Sequence, residues 1–166
     1  PVFNRYPLQS LIIHPRTGVQ MYTGRPDLDL FERCLGQCRH PVIYNGDITD
    51  LVGFQALRRR FPGVAGWMIG RGVLANPFLP AQIKGLDLAG TDRVARFQQF
   101  HDALHDRFAC VRQGPTQLLD TMKGYWTYFA GGFQHGEKLL KRVRKVRRIE
   151  QYRELVADFW STLEEK

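Results

Sequence analysis

The sequence predicts a mixed α/β region followed by an all-α helical bundle. Three observations carry this. Up to about Gly85–Gly90, short apolar runs alternate with helical stretches. Beyond that point only helical periodicity remains. Gly114-Pro115 and Gly131-Gly132 then divide the second part into helix-length pieces.

In the first part, Ser10–His14 (S-L-I-I-H) reads as a buried strand. Leu28–Cys38 reads as a helix, with Leu28, Phe31 and Leu35 on one face. Pro41–Asn45 is a second strand and Asp50–Arg60 a second helix. Val64–Ile69 is a third strand, closed by Gly70 and followed by a short helix around Val73–Asn76. Strand, helix, strand, helix, strand with short links is the pattern of parallel βαβ units. A closed parallel barrel takes about eight strands and roughly 250 residues. Residues 1–86 therefore predict a portion of a (β/α)8 TIM-type barrel.

Residues 87–166 predict the helical domain. Thr91 is placed to cap a long helix reaching about Arg112, with Val94, Phe97, Leu104 and Phe108 at helical spacing. Pro115 suits the first turn of a second helix carrying Leu118, Leu119, Met122, Trp126 and Phe129. Leu139, Leu140, Val143 and Val146 mark a third. Tyr152, Leu155, Phe159 and Leu163 mark a fourth.

Composition narrows the function classes. Of 166 residues, 43% are hydrophobic and 24% charged, ordinary for a globular protein. No apolar run approaches the roughly 18 residues of a membrane span. The start, Pro1-Val2-Phe3-Asn4-Arg5, has no initiating Met and no signal-peptide pattern, so it reads as part of a longer protein. Net charge is +8, which favours an anionic partner, with nucleic acid the best fit. Three cysteines, Cys34, Cys38 and Cys110, argue against a disulfide scaffold and suit a reducing cytoplasm.

Three polar motifs fall at the carboxyl end of a predicted strand: His14-Pro15-Arg16-Thr17, Asn45-Gly46-Asp47 and Gly70-Arg71-Gly72. Those ends form the active-site face of a parallel barrel, and its last strands commonly build a phosphate site. Gly46, Gly70 and Gly72 would let backbone N–H groups approach an anion, and Arg71 would add charge and directional donors. Plainer readings stand beside these. His14 reads equally as a core histidine bonded to backbone, Asn45-Gly46-Asp47 as a tight turn, and Arg71 as a solvated arginine. Their shared strand-end position favours a site.

The runs L-I-I-H-P-R-T-G-V-Q-M-Y-T-G (Leu11–Gly24), P-V-I-Y-N-G-D-I (Pro41–Ile48) and W-M-I-G-R-G-V-L-A-N-P (Trp67–Pro77) resemble the second half of the tRNA-dihydrouridine synthases. The likeness is close over Leu8–Lys84 and looser through the helical tail, where M-K-G-Y-W-T-Y-F (Met122–Phe129) is similar to the family's C-terminal domain. The resemblance makes the first part the C-terminal portion of the barrel. It implies FMN as cofactor, NADPH as reductant, and reduction of the C5–C6 double bond of uridine in tRNA. His14 would contact the flavin ring, and Arg16 would face the substrate. Asn45, Gly46 and Asp47 would line the ribityl and phosphate end, and Gly70, Arg71 and Gly72 would hold the phosphate. Gln20 and Tyr22 would line the substrate entrance.

The resemblance also implies a general-acid cysteine in the first half of the barrel, so no catalytic residue is expected within this chain. Cys34 and Cys38, near His40, make a poor zinc pattern, and no metal is expected. Cys110 lies on an apolar-rich helix and reads as a small core residue.

Lys138–Arg148 holds seven cations and no acid: Lys138, Lys141, Arg142, Arg144, Lys145, Arg147 and Arg148. A solvated helix face is the plain reading, and contact with tRNA phosphates the functional one. The resemblance supports the second. Lys123, Tyr125, Trp126 and Tyr128 precede the run, with some of the aromatics expected in the core. Two alternatives remain: an RNA-binding module with a vestigial half-barrel, and another FMN-barrel oxidoreductase acting on a small molecule. An open half-barrel exposes strand edges, so self-association is a further expectation.

Overall fold

The computed structural model describes residues 2–21, 23–89 and 92–164. The chain divides into two compact units, Pro1–Val73 with Phe78–Gly85, and Leu74–Pro77 with Leu86–Lys166.

The first unit is mixed α/β. Strands β1 (Leu11–Ile13), β2 (Val42–Asn45) and β3 (Gly66–Met68) form a parallel sheet in the order β1-β2-β3. Ile13 stands beside Tyr44, and Tyr44 beside Trp67, so these three share a face. Helices α1 (Leu28–Gln37) and α2 (Leu51–Arg60) connect the strands. Phe31 from α1 and Phe54 from α2 join Val42, Tyr44 and Phe61 in the core on that face. Phe31 meets both Tyr44 and Phe61 edge-on at 4.9 Å, the arrangement aromatic quadrupoles favour. Ile12 and Met68, pointing to the opposite face, are exposed.

Each helix begins where an aspartate can satisfy a free N–H. Asp27 accepts from Leu30, and Asp50 from Gly53. Arg60, in the last turn of α2, reaches both Asp29 and Glu32 of α1 and ties the two helices together. The strands are shorter than their apolar runs, because only the central residues find ladder partners. Two short helices follow β3, α3 (Arg71–Ala75) and α4 (Leu79–Ile83). The second was not legible, since five residues around Pro80 and Ala81 hold less than two turns of periodicity.

The second unit contains α5 (Arg93–Val111), α6 (Pro115–Phe129), α7 (Gly136–Lys145) and α8 (Ile149–Glu164). Thr91, the expected cap of α5, lies outside the described residues, and Asp92 caps the helix by accepting from Ala95. Met122, Trp126, Phe129, Val143 and Tyr152 are fully enclosed in one core with Phe97 and Trp160. The third helix ends at Lys145, before the expected Val146, whose backbone turns to an extended conformation. Cys110 is exposed, which corrects its expected place in the core: it lies on the outer side of α5, while Phe97, His101 and His105 face inward.

Within this unit a polar network that the sequence reading missed is buried. The Tyr152 hydroxyl accepts from Trp126 Nε1 at 2.8 Å and lies 2.6 Å from His101 Nε2. His101 Nδ1 lies 2.8 Å from an Asp102 carboxylate oxygen. A carboxylate only accepts, so Nδ1 carries the proton and Nε2 of the neutral ring accepts from Tyr152. Burial lowers the His101 pKa, an effect partly opposed by Asp102. Burial likewise holds the Tyr152 phenol above its usual range. Single histidines and tyrosines at helical spacing give no sign in a sequence that they meet across 51 residues.

Candidate functional site

The site lies in the first unit, where the chain leaves each strand at its carboxyl end. A parallel sheet puts these three exits side by side. His14, Asn45-Gly46-Asp47 and Gly70-Arg71 follow β1, β2 and β3 respectively.

His14 is exposed, which removes the core-histidine reading, but it is bonded to backbone. Its Nδ1 donates to the Asn45 carbonyl at 2.5 Å. A carbonyl oxygen only accepts, so this bond sets the tautomer and leaves Nε2 as the acceptor of the neutral ring. The contribution of Asn45 is thus partly its backbone carbonyl, which orients the imidazole.

Asp47 joins two arginines. One carboxylate oxygen accepts from Arg16 at 2.6 Å, the other from Arg71 at 3.1 Å. Arg16, expected on the substrate side, instead points inward. Its side chain is 1% exposed, and the same nitrogen that meets Asp47 also donates to the Gly24 carbonyl at 2.8 Å. The Gly24 carbonyl, in the loop after β1, and the Asp47 carboxylate together hold the buried guanidinium. Arg16 Nε and Nη1 are buried without a hydrogen-bond partner among the described residues. Burial, with Asp47 adding to it and Arg16 opposing it, pushes the Tyr44 phenol up to about 12.

Two of the glycines are explained by protein packing. A Cβ on Gly46 would collide with the Tyr44 ring and hydroxyl. A Cβ on Gly72 would collide with the Ile48 carbonyl. Gly70 has open space where its Cβ would be, so the backbone there is approachable. Gln20 is drawn into its own turn, since its side-chain oxygen accepts from the Thr17 N–H at 2.9 Å. Tyr22 lies outside the described residues.

Cys34 is exposed on α1, and Cys38 follows that helix at the amino end of β2, across the sheet from His14. No cluster of metal-ligating residues occurs among the described residues.

In the second unit all seven cations of the basic run are exposed. Lys138, Lys141, Arg142, Arg144 and Lys145 lie on α7, while Arg147 and Arg148 occupy the link to α8. Leu139, Leu140 and Val143 are buried on the opposite side of α7. Lys123 is spent elsewhere, donating to the Val146 carbonyl at 2.5 Å just past the end of α7. Trp126 is core, Tyr125 half-buried, and Tyr128 exposed.

The model of the dihydrouridine synthase (Dus) family matches residues 6–163. The chain belongs to the dihydrouridine synthase family. It is 35% identical over 89 residues to a probable tRNA-dihydrouridine synthase of Rickettsia conorii, covering 53% of this chain and 26% of that one. It is 32% identical over 125 residues to a tRNA-dihydrouridine(16) synthase of Cupriavidus necator, covering 70% and 38%. A tRNA-dihydrouridine(16) synthase of Neisseria meningitidis is 24% identical over 153 residues, covering 90% and 46%. The chain thus spans less than half the length of these relatives. Among the described residues, no helix is long and apolar enough to cross a membrane.

Proposed function

We propose that this chain belongs to an FMN-dependent tRNA-dihydrouridine synthase of the cytoplasm that reduces uridine to 5,6-dihydrouridine with NADPH. In this reading residues 1–86 form the C-terminal portion of a (β/α)8 TIM-type barrel, and 87–166 a helical tRNA-binding domain. The reading rests above all on one observation: in a member of this family, His14, Asp47 and Arg71 come together at the carboxyl ends of three adjacent parallel strands.

The residues present fit a phosphate-bearing cofactor. Arg71 keeps 41% of its side chain exposed at the strand ends, beside the open space at Gly70. A guanidinium there would hold a phosphate by charge-assisted hydrogen bonds. When bound, the flavin supplies hydride transfer between the nicotinamide and uridine. His14 would meet it through Nε2. Because Nδ1 is committed to Asn45, Nε2 presents a proton only when the ring is cationic. A donor or positive charge beside the bound flavin would favour its reduced form. The proton delivered to the uracil carbon would come from a cysteine outside these residues.

The exposed cations of α7 and its following link support tRNA over a small-molecule substrate. They sit on the outer side of a helix whose inner side is core, which leaves them available to phosphates.

Spectroscopy of the whole protein tests the flavin. It should be yellow as isolated or after reconstitution with FMN, and should form dihydrouridine on unmodified tRNA with NADPH. A protein that stays colourless after reconstitution would sink the proposal. Filter binding of tRNA across a salt series tests the partner, since phosphate contacts produce a steep salt dependence and a small-molecule enzyme shows none.

A further inference from the structure

Helix α5 divides its charges between two sides. Its two acids, Asp102 and Asp106, each lie beside Nδ1 of the histidine that precedes them. Those histidines, His101 and His105, reach Tyr152 and Arg153 of α8. Arg96, Phe100 and Arg107 fall at i, i+4 and i+11, along one strip on the other side of the helix. All three are exposed, and neither arginine has an ion-pair partner among the described residues.

The strip adjoins α6. Phe100 lies 6.0 Å from Phe129, and Phe108 5.6 Å from Tyr125, so the two helices run antiparallel. Tyr128, one position before Phe129, therefore stands near the level of Phe100. The two rings are similarly open, Phe100 37% exposed and Tyr128 38%. Phe97 and Phe129 meet Phe100 edge-on and hold its ring in place. Further along the seam, Arg112 already rests over the Phe108 ring at 5.1 Å.

We infer that this α5–α6 seam takes an unpaired nucleobase of the RNA, stacked against Phe100 and Tyr128, while Arg96 and Arg107 hold the adjoining phosphates. This rests on the tRNA reading above and divides recognition between two surfaces. The cations of α7 are backed by buried aliphatic side chains, so they can hold the phosphates of any strand. The seam sets unpaired cations beside open rings. The cations call for an anionic partner, and the rings for a flat aromatic one; an unstacked base with its phosphates is both. A base paired within a helix is already stacked and cannot enter. A ring fixed before binding also loses little freedom when a base settles on it.

The test titrates the whole protein with tRNA, with single-stranded oligouridine and with a fully paired RNA duplex. Phe100→Leu with Tyr128→Leu keeps apolar volume and removes the rings. It should weaken binding of tRNA and oligouridine about tenfold, and leave the duplex and the salt dependence unchanged. Arg96→Gln with Arg107→Gln alters only exposed positions, which keeps the test alive if the leucine pair folds poorly. It should weaken RNA binding and reduce the salt dependence by about two phosphate contacts.

Oligouridine binding unchanged in the leucine pair would overturn the inference. Equal weakening on the duplex would do the same, because the duplex offers no unpaired base. Wild-type RNA binding by the arginine pair would also overturn it, and wild-type binding by both pairs would leave the seam to a protein partner. A protein that binds oligouridine through the seam but does not prefer tRNA would defeat the tRNA reading and leave the seam intact. Loss of tRNA binding in Arg144→Glu with Lys145→Glu, with both seam pairs behaving as wild type, would do the reverse.

Discussion

The two units place their charge in opposite ways. The first buries a cation, Arg16, at the mouth of its sheet and holds it with one carboxylate. The second keeps every cation of its basic run at the surface and buries a neutral network of His101, Tyr152 and Trp126. Burying a charge costs several kcal/mol unless it is paired, whereas a hydrogen-bonded neutral group costs little. The neutral network is therefore intelligible as structure alone. The buried arginine needs its carboxylate partner, and it lies beside the carboxyl ends of the strands.

The largest expected effect falls on the core of the second unit. Trp126 is fully enclosed and donates to Tyr152. Trp126→Ala should cost about 3–5 kcal/mol by urea unfolding. A loss near 1 kcal/mol would mean that the aromatic core refills and is less specific than the ring contacts suggest. In the first unit, Gly72→Ala drives a methyl into the Ile48 carbonyl, which backbone cannot easily yield. It should cost about 1–3 kcal/mol, as overpacking does, and weaken FMN binding with it. Unchanged stability would show that the close approach can be relieved.

Tyr152→Phe removes the hydroxyl shared by two buried partners and should cost about 1–3 kcal/mol. The same network sets a pH dependence. The folded His101 pKa lies below the ordinary value of about 6.5, so the unfolded chain binds the proton more readily. The stability contribution is complete above about pH 6.5 and is lost as pH falls through the folded pKa. Unfolding at a series of pH values should show this loss, and His101→Phe should remove it. A dependence that survives the substitution would assign it to other groups.

The smallest effect on stability belongs to the exposed cations. Arg144→Glu with Lys145→Glu should change unfolding free energy by no more than about 0.5 kcal/mol, as surface changes do. It should weaken tRNA binding, reduce its salt dependence by about two phosphate contacts, and leave FMN in place. Equal tRNA binding would return the run to a solvated helix face.

Much of this arrangement was legible from the chain alone. The alternation of apolar runs and helices placed all three strands, because period and turn residues are local signals. The periodicity of Leu139, Leu140 and Val143 separated core from basic face on α7 for the same reason. The motifs His14-Pro15-Arg16, Asn45-Gly46-Asp47 and Gly70-Arg71-Gly72 were set at strand ends by counting residues.

Their roles required the third dimension. Nothing in the spacing of Arg16, Asp47 and Arg71 says that one carboxylate serves both arginines, since 31 and 24 residues separate the partners. The inward turn of Arg16 depends on where the Gly24 carbonyl lies, and the need for Gly72 on where the Ile48 carbonyl lies. His101 and Tyr152 find each other only because α5 and α8 belong to one core. The sequence determined the elements, their order and the apolar faces, all of which follow from neighbours a few residues apart. The tertiary structure decided which charges are buried and what each one holds, because pairing and desolvation depend on distances in space that sequence separation does not encode.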